Sequence, residues 1–319
     1  MKTAESKNNL GPIYGFKKPQ DEIFPPMVFA EITNICNLNC IHCPYSYISK
    51  QKSYKPRHMD FDIYKKIVNE VSLHKGVILR LVCDGEPMTH PKFLEMISYA
   101  VQKGINPVCL NTNGTLLNEK TSLEILKYAD LIEISLDAIN KNTYEYLRRG
   151  ANFEKTMFNV LELIELRGRL NAKTKIMVSI IDQPEIKDEM GEFVKYWSPK
   201  VDRVIKRAYT TIGGLMDKDK LRLGEKKERW PCPLIWKRIF INVDGLIKFC
   251  VEDWLDKTAI FHIKDLAIKE AWGSPEYERI RDCHLSGRFR EVPYCEECVD
   301  WPARRWDYDY FYALEKILK

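Results

Sequence analysis

The sequence predicts an α/β fold: a partial (β/α)6 barrel with a parallel sheet covered by helices, followed by a small C-terminal domain built on a β-hairpin. Three observations predict it. Between residues 27 and 208, six short strand-like stretches alternate with segments of helical periodicity. The alternation then stops at a stretch carrying Gly213-Gly214 and a run of charges. Beyond it, two strand-like runs flank Val243-Asp244-Gly245, a hairpin signal because glycine tolerates positive φ.

Residues 1–26 are polar, carry four prolines and read as an N-terminal arm on the surface. The barrel is expected over 27–208. Strands are predicted at 27–32, 77–82, 107–111, 131–136, 175–181 and 203–208. Helices are predicted at 61–74, with Asp60 as N-cap, at 92–103, ended by Gly104, and at 118–129, 152–169 and 185–197. These crossovers are long enough to make the strands parallel. In such sheets function gathers at the C-terminal ends of the strands. Residues 209–229 read as a solvated linker and 230–301 as the second domain. That domain has its hairpin over 238–250 and helices near 265–272 and 275–286. Residues 302–319 close the chain with an amphipathic helix presenting Tyr310, Phe311, Leu314 and Ile317.

Composition narrows the function classes. The chain has 319 residues, 45% hydrophobic and 30% charged, the balance of a folded globular protein. Its net charge of +5 is too weak to argue for nucleic acid. Its apolar runs are far shorter than the roughly 20 residues of a membrane span. The N-terminus lacks an apolar segment of the secretory type, so a cytoplasmic protein is expected.

Ten cysteines, two sets of them tightly spaced, point to metal or redox chemistry in such a chain. Cys36, Cys40 and Cys43 form a C-x3-C-x2-C triplet on a loop just after the first strand. Three thiolates can hold three corners of an iron–sulfur cubane and leave the fourth iron open to an outside chelator. The spacing also admits a zinc site completed by His42. Downstream, the second strand ends in Cys83-Asp84-Gly85-Glu86-Pro87, the third in Asn111-Thr112-Asn113-Gly114 and the fourth in Ser135-Leu136-Asp137.

With these motifs in this order the sequence resembles the radical S-adenosylmethionine (SAM) superfamily, from about Met27 to Trp301. The resemblance implies a partial radical-SAM barrel whose [4Fe–4S] cluster is held by Cys36, Cys40 and Cys43 and binds the amino and carboxylate groups of SAM. Reduction then cleaves a C–S bond to give a 5′-deoxyadenosyl radical. The protein binds, orients and shields, and the cofactor carries the hard chemistry. The resemblance also implies SAM contacts at His42, where the family usually has an aromatic residue, and at Gly85, Glu86, Asn111 and Ser135. Asp84 departs from the family's Gly-Gly-Glu-Pro.

Cys232, Cys250, Cys295 and Cys298 form the second set, a hairpin pair and a C-x2-C. Spacing alone fits a cubane or a tetrahedral zinc equally. The pattern resembles the SPASM domain or its shortened twitch form. With no cysteine after Cys298, it implies one auxiliary [4Fe–4S] cluster with four cysteine ligands. Cys283 is expected to be a buried non-ligand.

A fully ligated second cluster suits electron transfer. The expected reaction is therefore a two-electron oxidation of a hydroxyl on a small polar substrate such as a carbohydrate or aminocyclitol. The electron donor to the first cluster would be external, flavodoxin or ferredoxin. Two alternatives remain open: an epimerase using Cys83 as hydrogen-atom donor, with Cys109 a weaker choice, and a ribosomal-peptide maturase. Arg207 is expected to face the cofactor, Arg148 and Arg149 to sit at a solvated helix end, and Trp230, Trp236 and Trp254 to be core. The general base is not identified.

Overall fold

The structure, a computed structural model, describes residues 14–82, 84–222, 228–306 and 310–318, without the side chains of 310–312. Strands β1 (Met27–Ala30), β2 (Ile78–Leu81), β3 (Val108–Thr112), β4 (Leu131–Ser135), β5 (Lys175–Asp182) and β6 (Arg203–Ala208) form one parallel sheet in sequential order. After the short helices α1 (Pro19–Ile23) and α2 (Tyr45–Ile48), the main crossovers are α3 (Phe61–Val71), α4 (Phe93–Gln102), α5 (Glu119–Tyr128), α7 (Phe153–Arg169) and α8 (Met190–Trp197). The Asp60 carboxylate caps α3 by accepting from Asp62 N, and Gly104 takes φ 80° just past α4. The helix predicted at 185–197 begins only at Met190, after a separate 3₁₀ turn at Pro184–Ile186. Sequence periodicity also missed α6 (Lys141–Leu147), which is only seven residues long and is capped by Asn140.

The second domain adds to the same sheet. Strand β7 (Ile239–Ile241) pairs in parallel with β1, and β8 (Leu246–Lys248) and β9 (Ala259–His262) follow antiparallel. The result is an open mixed sheet of nine strands. The stretch predicted to be a solvated linker is tied down where it is described. Tyr209 and Thr211 are buried, and Asp300 accepts from Thr211 N, Thr211 Oγ1 and Gly213 N. The N-terminal arm, where described, is wedged rather than laid on the surface. Phe24 is buried beside the short helix Pro19–Ile23, and Trp272 Nε1 donates to Asp21 O.

The strands read as apolar runs because both faces of the sheet are covered. Val28, Leu79, Leu110, Ile132 and Val178 pack under the helices. On the inner face Met27, Phe29, Ile78, Cys109, Leu131, Met177, Ile205 and Phe240 form a second core, closed by Ala313 and Leu314 of the C-terminal helix Tyr310–Ile317. Further along the same face lie Arg80, Glu133 and Arg207, then Asn111, Ser135 and Ser179. The inner face thus changes from apolar to polar toward the strands' C-terminal ends.

Candidate functional site

The loop 36–43 leaves β1 and is fixed from three sides. Glu86 N donates to Ile35 O (2.8 Å), Asn113 Nδ2 donates to Asn37 Oδ1 (2.9 Å), and Asn39 N and Ile41 N donate to Arg149 O and Leu147 O. Its three thiols are close enough to perturb one another. Cys36 is pushed up to about 12 by burial, with Cys40 adding to it, and Cys43 is raised by burial and then by Cys40 and Cys36. Buried thiols that repel each other's ionisation become a stable thiolate set when a multivalent cation neutralises them. This donor chemistry fits an iron–sulfur cluster. Among the described residues no three Cys, His, Asp or Glu side chains gather closely enough to share a single ion.

The later motifs lock onto this loop. Gly85 has no room for a side chain, since a Cβ there would lie 2.2 Å from Ile35 O. The close approach that requires this glycine is by the backbone of Ile35, at the entry to the cysteine loop. Gly85→Ala must push the two loops apart, with an overpacking cost of about 3 kcal/mol. The expected result is lost iron binding at the first site with a folded barrel, read by iron analysis beside far-UV circular dichroism.

The Glu86 carboxylate is buried and accepts from Thr112 Oγ1 (2.8 Å), Asn113 N (2.7 Å) and Met88 N (3.3 Å). Both its oxygens are engaged in joining the β2 loop to the β3 loop. Asn111 Oδ1 is buried with no hydrogen-bond partner among the described residues, and Ser135 Oγ lies 3.5 Å from Ser179 Oγ. His42 is buried, with Nε2 3.3 Å from Asp137 Oδ2. Burial pulls its pKa down to about 4 against the attraction of Asp137, so the imidazole beside this carboxylate is neutral. Cys83 lies outside the described residues. Cys109 is fully buried in the inner apolar layer, away from the polar strand ends.

Three features escaped the sequence reading. Arg148, expected at a solvated helix end, is 5% exposed and paired with Asp137, while Arg149 alone is exposed, over the Tyr146 ring. Burial would raise the Asp137 carboxyl, but Arg148 and His42 outweigh it and hold it below the usual carboxylate range. Glu31 joins the two domains: its carboxylate accepts from Asp84 N on the β2 loop and from Val243 N in the hairpin turn. Burial and Glu31 raise the Asp84 carboxyl, and buried Lys248 lies opposite the pair. A carboxylate inside the apolar run 27–32 was the available signal for Glu31.

In the second domain Cys250 is raised by burial and then by Glu252, Cys295 and Cys232. Cys298 is pushed up to about 11 by burial and Cys232. The four thiols are thus brought together from three separate segments. Cys232 N donates to His284 Nδ1 (3.1 Å). Burial and Arg229 lower His284 to about 4, which leaves that nitrogen free to accept. Cys283 is fully buried and its thiol donates to Glu291 Oε2 (3.6 Å).

A cavity of about 1110 Å³ is lined by sequence neighbours of both cysteine groups. His42, next to Cys43 in the chain, lines it, as do Pro233 and Val251, next to Cys232 and Cys250. Asn111, Ser135 and Arg207 form its floor, with Arg207 Nε donating to Glu133 Oε1 (3.1 Å). Trp230 and Trp254, expected to be core, line this cavity, whereas Trp236 is 3% exposed and belongs to the core.

Residues 30–195 match the family model of the radical SAM superfamily, and residues 232–299 match that of the SPASM iron–sulfur cluster-binding domain. An AdoMet-dependent heme synthase of Methanosarcina barkeri is 33% identical over 141 residues, 43% of this chain and 38% of the relative. The chain spans less than half the length of that relative and of other curated proteins it matches. Among solved structures, BtrN in complex with AdoMet and 2-DOIA gives a TM-score of 0.59 at 17% identity, over 89% of this chain and 97% of that one. Streptococcus suis SuiB bound to precursor peptide SuiA gives 0.66 at 14% identity, over 81% and 67%. At these identities the likeness is one of fold. No helix among the described residues is long and apolar enough to cross a membrane.

Proposed function

Because the chain belongs to the radical SAM superfamily and carries a SPASM domain, and so has a SAM-binding [4Fe–4S] cluster and an auxiliary iron–sulfur cluster, we propose that it oxidises a hydroxyl of a small polar substrate by two electrons. The carbohydrate or aminocyclitol class is favoured. Cys36, Cys40 and Cys43 would hold the first cluster, and Cys232, Cys250, Cys295 and Cys298 the second. When bound, the first cluster with SAM supplies hydrogen-atom abstraction and the second an acceptor for one electron. The balance is a hydrogen atom from carbon, a proton from the hydroxyl and one electron, leaving a ketone.

The observation that carries this reading is the cavity, whose lining includes the chain neighbours of Cys43, Cys232 and Cys250. A substrate seated there would lie between the two metal centres. The chain's own residues bind and exclude water. Asn111 Oδ1 offers an unused acceptor, Ser135 a hydroxyl, and Trp230 and Trp254 the flat apolar walls that suit a sugar-like ring. Trp230 is held by donating from Nε1 to Arg304 O (2.6 Å) and by edge contact with Trp301. Asp137, through His42, Arg148 and Ile181 N, keeps the cysteine loop in place beneath the cavity.

The likeness to BtrN over nearly the whole of that chain supports the small-molecule reading. The likeness to SuiB supports the peptide reading over a smaller share of its partner. The test is a panel of polyols, aminocyclitols and short peptides, incubated with anaerobically reconstituted protein, SAM and dithionite or reduced flavodoxin. The expected result is one ketone per deoxyadenosine, with deuterium moving from the oxidised carbon into deoxyadenosine. Solvent deuterium entering a product of unchanged oxidation state would indicate epimerisation instead. A modified peptide would indicate maturation.

A further inference from the structure

On the reading that the cavity seats the substrate of a radical SAM oxidation, we infer that this substrate is an oxyanion, a sugar or cyclitol bearing a phosphate or carboxylate group, and that Arg207 binds that group.

The cavity collects positive charge. Among the described residues, six arginines and Lys206 line it against two carboxylates, those of Asp84 and Glu252. Fully buried Glu133, against Arg207, adds a third. Asp307 and Asp309 follow the lining residues Arg304 and Arg305 in the chain and lie outside the described residues. Counted with the other carboxylates, they still leave the cations in the majority. SAM does not account for the surplus, because its single carboxylate is outweighed by its own ammonium and sulfonium. A concave wall of one dominant sign focuses its field and concentrates ligands of the opposite sign.

Three of the arginines form a continuous band. Glu133 Oε2 accepts from Arg80 Nη2 (2.6 Å) and Glu133 Oε1 from Arg207 Nε (3.1 Å). The Phe29 ring is shared by Arg80 and Arg238, whose guanidinium carbons lie 5.9 Å and 5.2 Å from its centroid. Exposure singles out Arg207. The Arg80 side chain is 2% exposed and Arg238 is also buried, whereas the Arg207 side chain keeps 34% and lines the cavity. Its contacts with Glu133 use Nε and Nη2, and a guanidinium with five N–H donors can serve a second oxyanion beside the first. The planar fork matches carboxylate and phosphate alike. Asn111 and Ser135 line the same cavity, so a ligand anchored at Arg207 has polar partners there for its hydroxyls.

The test is isothermal titration calorimetry on the reconstituted holoprotein with SAM and no reductant, so that nothing turns over. The probes share one ring: glucose, glucosamine, glucuronate and glucose 6-phosphate. At least one acidic probe is expected to bind about tenfold or more tightly than glucose and glucosamine, the effect of a hydrogen bond between charged groups. Added salt should narrow the difference. The stronger of the two acidic probes tells phosphate from carboxylate. Arg207→Gln is expected to lose the acidic preference while keeping the affinity for glucose. Arg207→Lys should keep part of the preference and exposed Arg149→Gln all of it. The inference is overturned by affinities that ignore the acidic group, by no saturable binding of either acidic probe, or by an Arg207→Gln variant that keeps the preference or weakens glucose equally. An acidic probe that binds through Arg207 yet yields no ketone once reductant is added supports the inference and counts against hydroxyl oxidation, so the two readings fail separately.

Discussion

Replacing Cys40 with Ala is expected to bring SAM-dependent deoxyadenosine formation to background and to lower iron from about eight to about four per chain. The reason is geometric. Cys36, Cys40 and Cys43 lie on a loop held by hydrogen bonds to three neighbouring segments, so no other thiol among the described residues can move into the missing corner. Cys295→Ala should behave differently. It removes a member of the second group, so cofactor cleavage survives while conversion of substrate to ketone fails, because the electron has no acceptor. Cys283→Ser should keep both iron contents, since that thiol already donates to Glu291. Iron and sulfide analysis with chromatographic assay of deoxyadenosine separates the three variants. Full iron in Cys40→Ala would remove the basis for placing the SAM-binding cluster on this loop.

Glu133→Gln is expected to destabilise the fold by roughly 3–5 kcal/mol, the usual consequence of removing one partner from a buried ion pair. Glu133 is fully buried on the inner face, where Arg80 Nη2 donates to Oε2 (2.6 Å) and Arg207 Nε to Oε1 (3.1 Å). Gln keeps the shape and one acceptor oxygen but removes the charge that balances two guanidinium groups. The three residues come from β2, β4 and β6, so the loss loosens the sheet under the cavity floor. Urea denaturation of the anaerobic apoprotein reads this directly. A replacement of Arg80 and Glu133 together by Met and Leu should recover much of the loss, because an apolar pair of similar volume avoids the desolvation cost. If Glu133→Gln leaves the midpoint within about 0.5 kcal/mol of the parent, the charge layer is not a structural element.

Much of the fold was legible because short-range physics sets it. The six parallel strands lie within a few residues of their expected positions, since apolar runs bounded by turn residues mark them. The short helix α6 was not legible: seven residues give too little periodicity to stand out. Nor was the pairing of β7 with β1, which joins residues some 200 apart in sequence and rests on complementary edges that no local pattern encodes. At the site the cysteine spacings and the order of the motifs were readable, because ligands of one cluster must be near in sequence or anchored by a recognisable loop. What each motif residue touches was not. Gly85 serves a backbone contact, Glu86 serves two neighbouring loops, and Arg148 looked like a surface cation.

By itself, then, the sequence determined the α/β class, the two cysteine groups and the family chemistry they imply, because strand periodicity and ligand spacing are local properties. Only the tertiary structure decided that neighbours of both groups line one cavity. It also decided that Glu31 links the β2 loop to the hairpin turn and that Arg148 is buried against Asp137. Those facts depend on which distant segments share a low-dielectric interior, where a charge must find a partner or not be there.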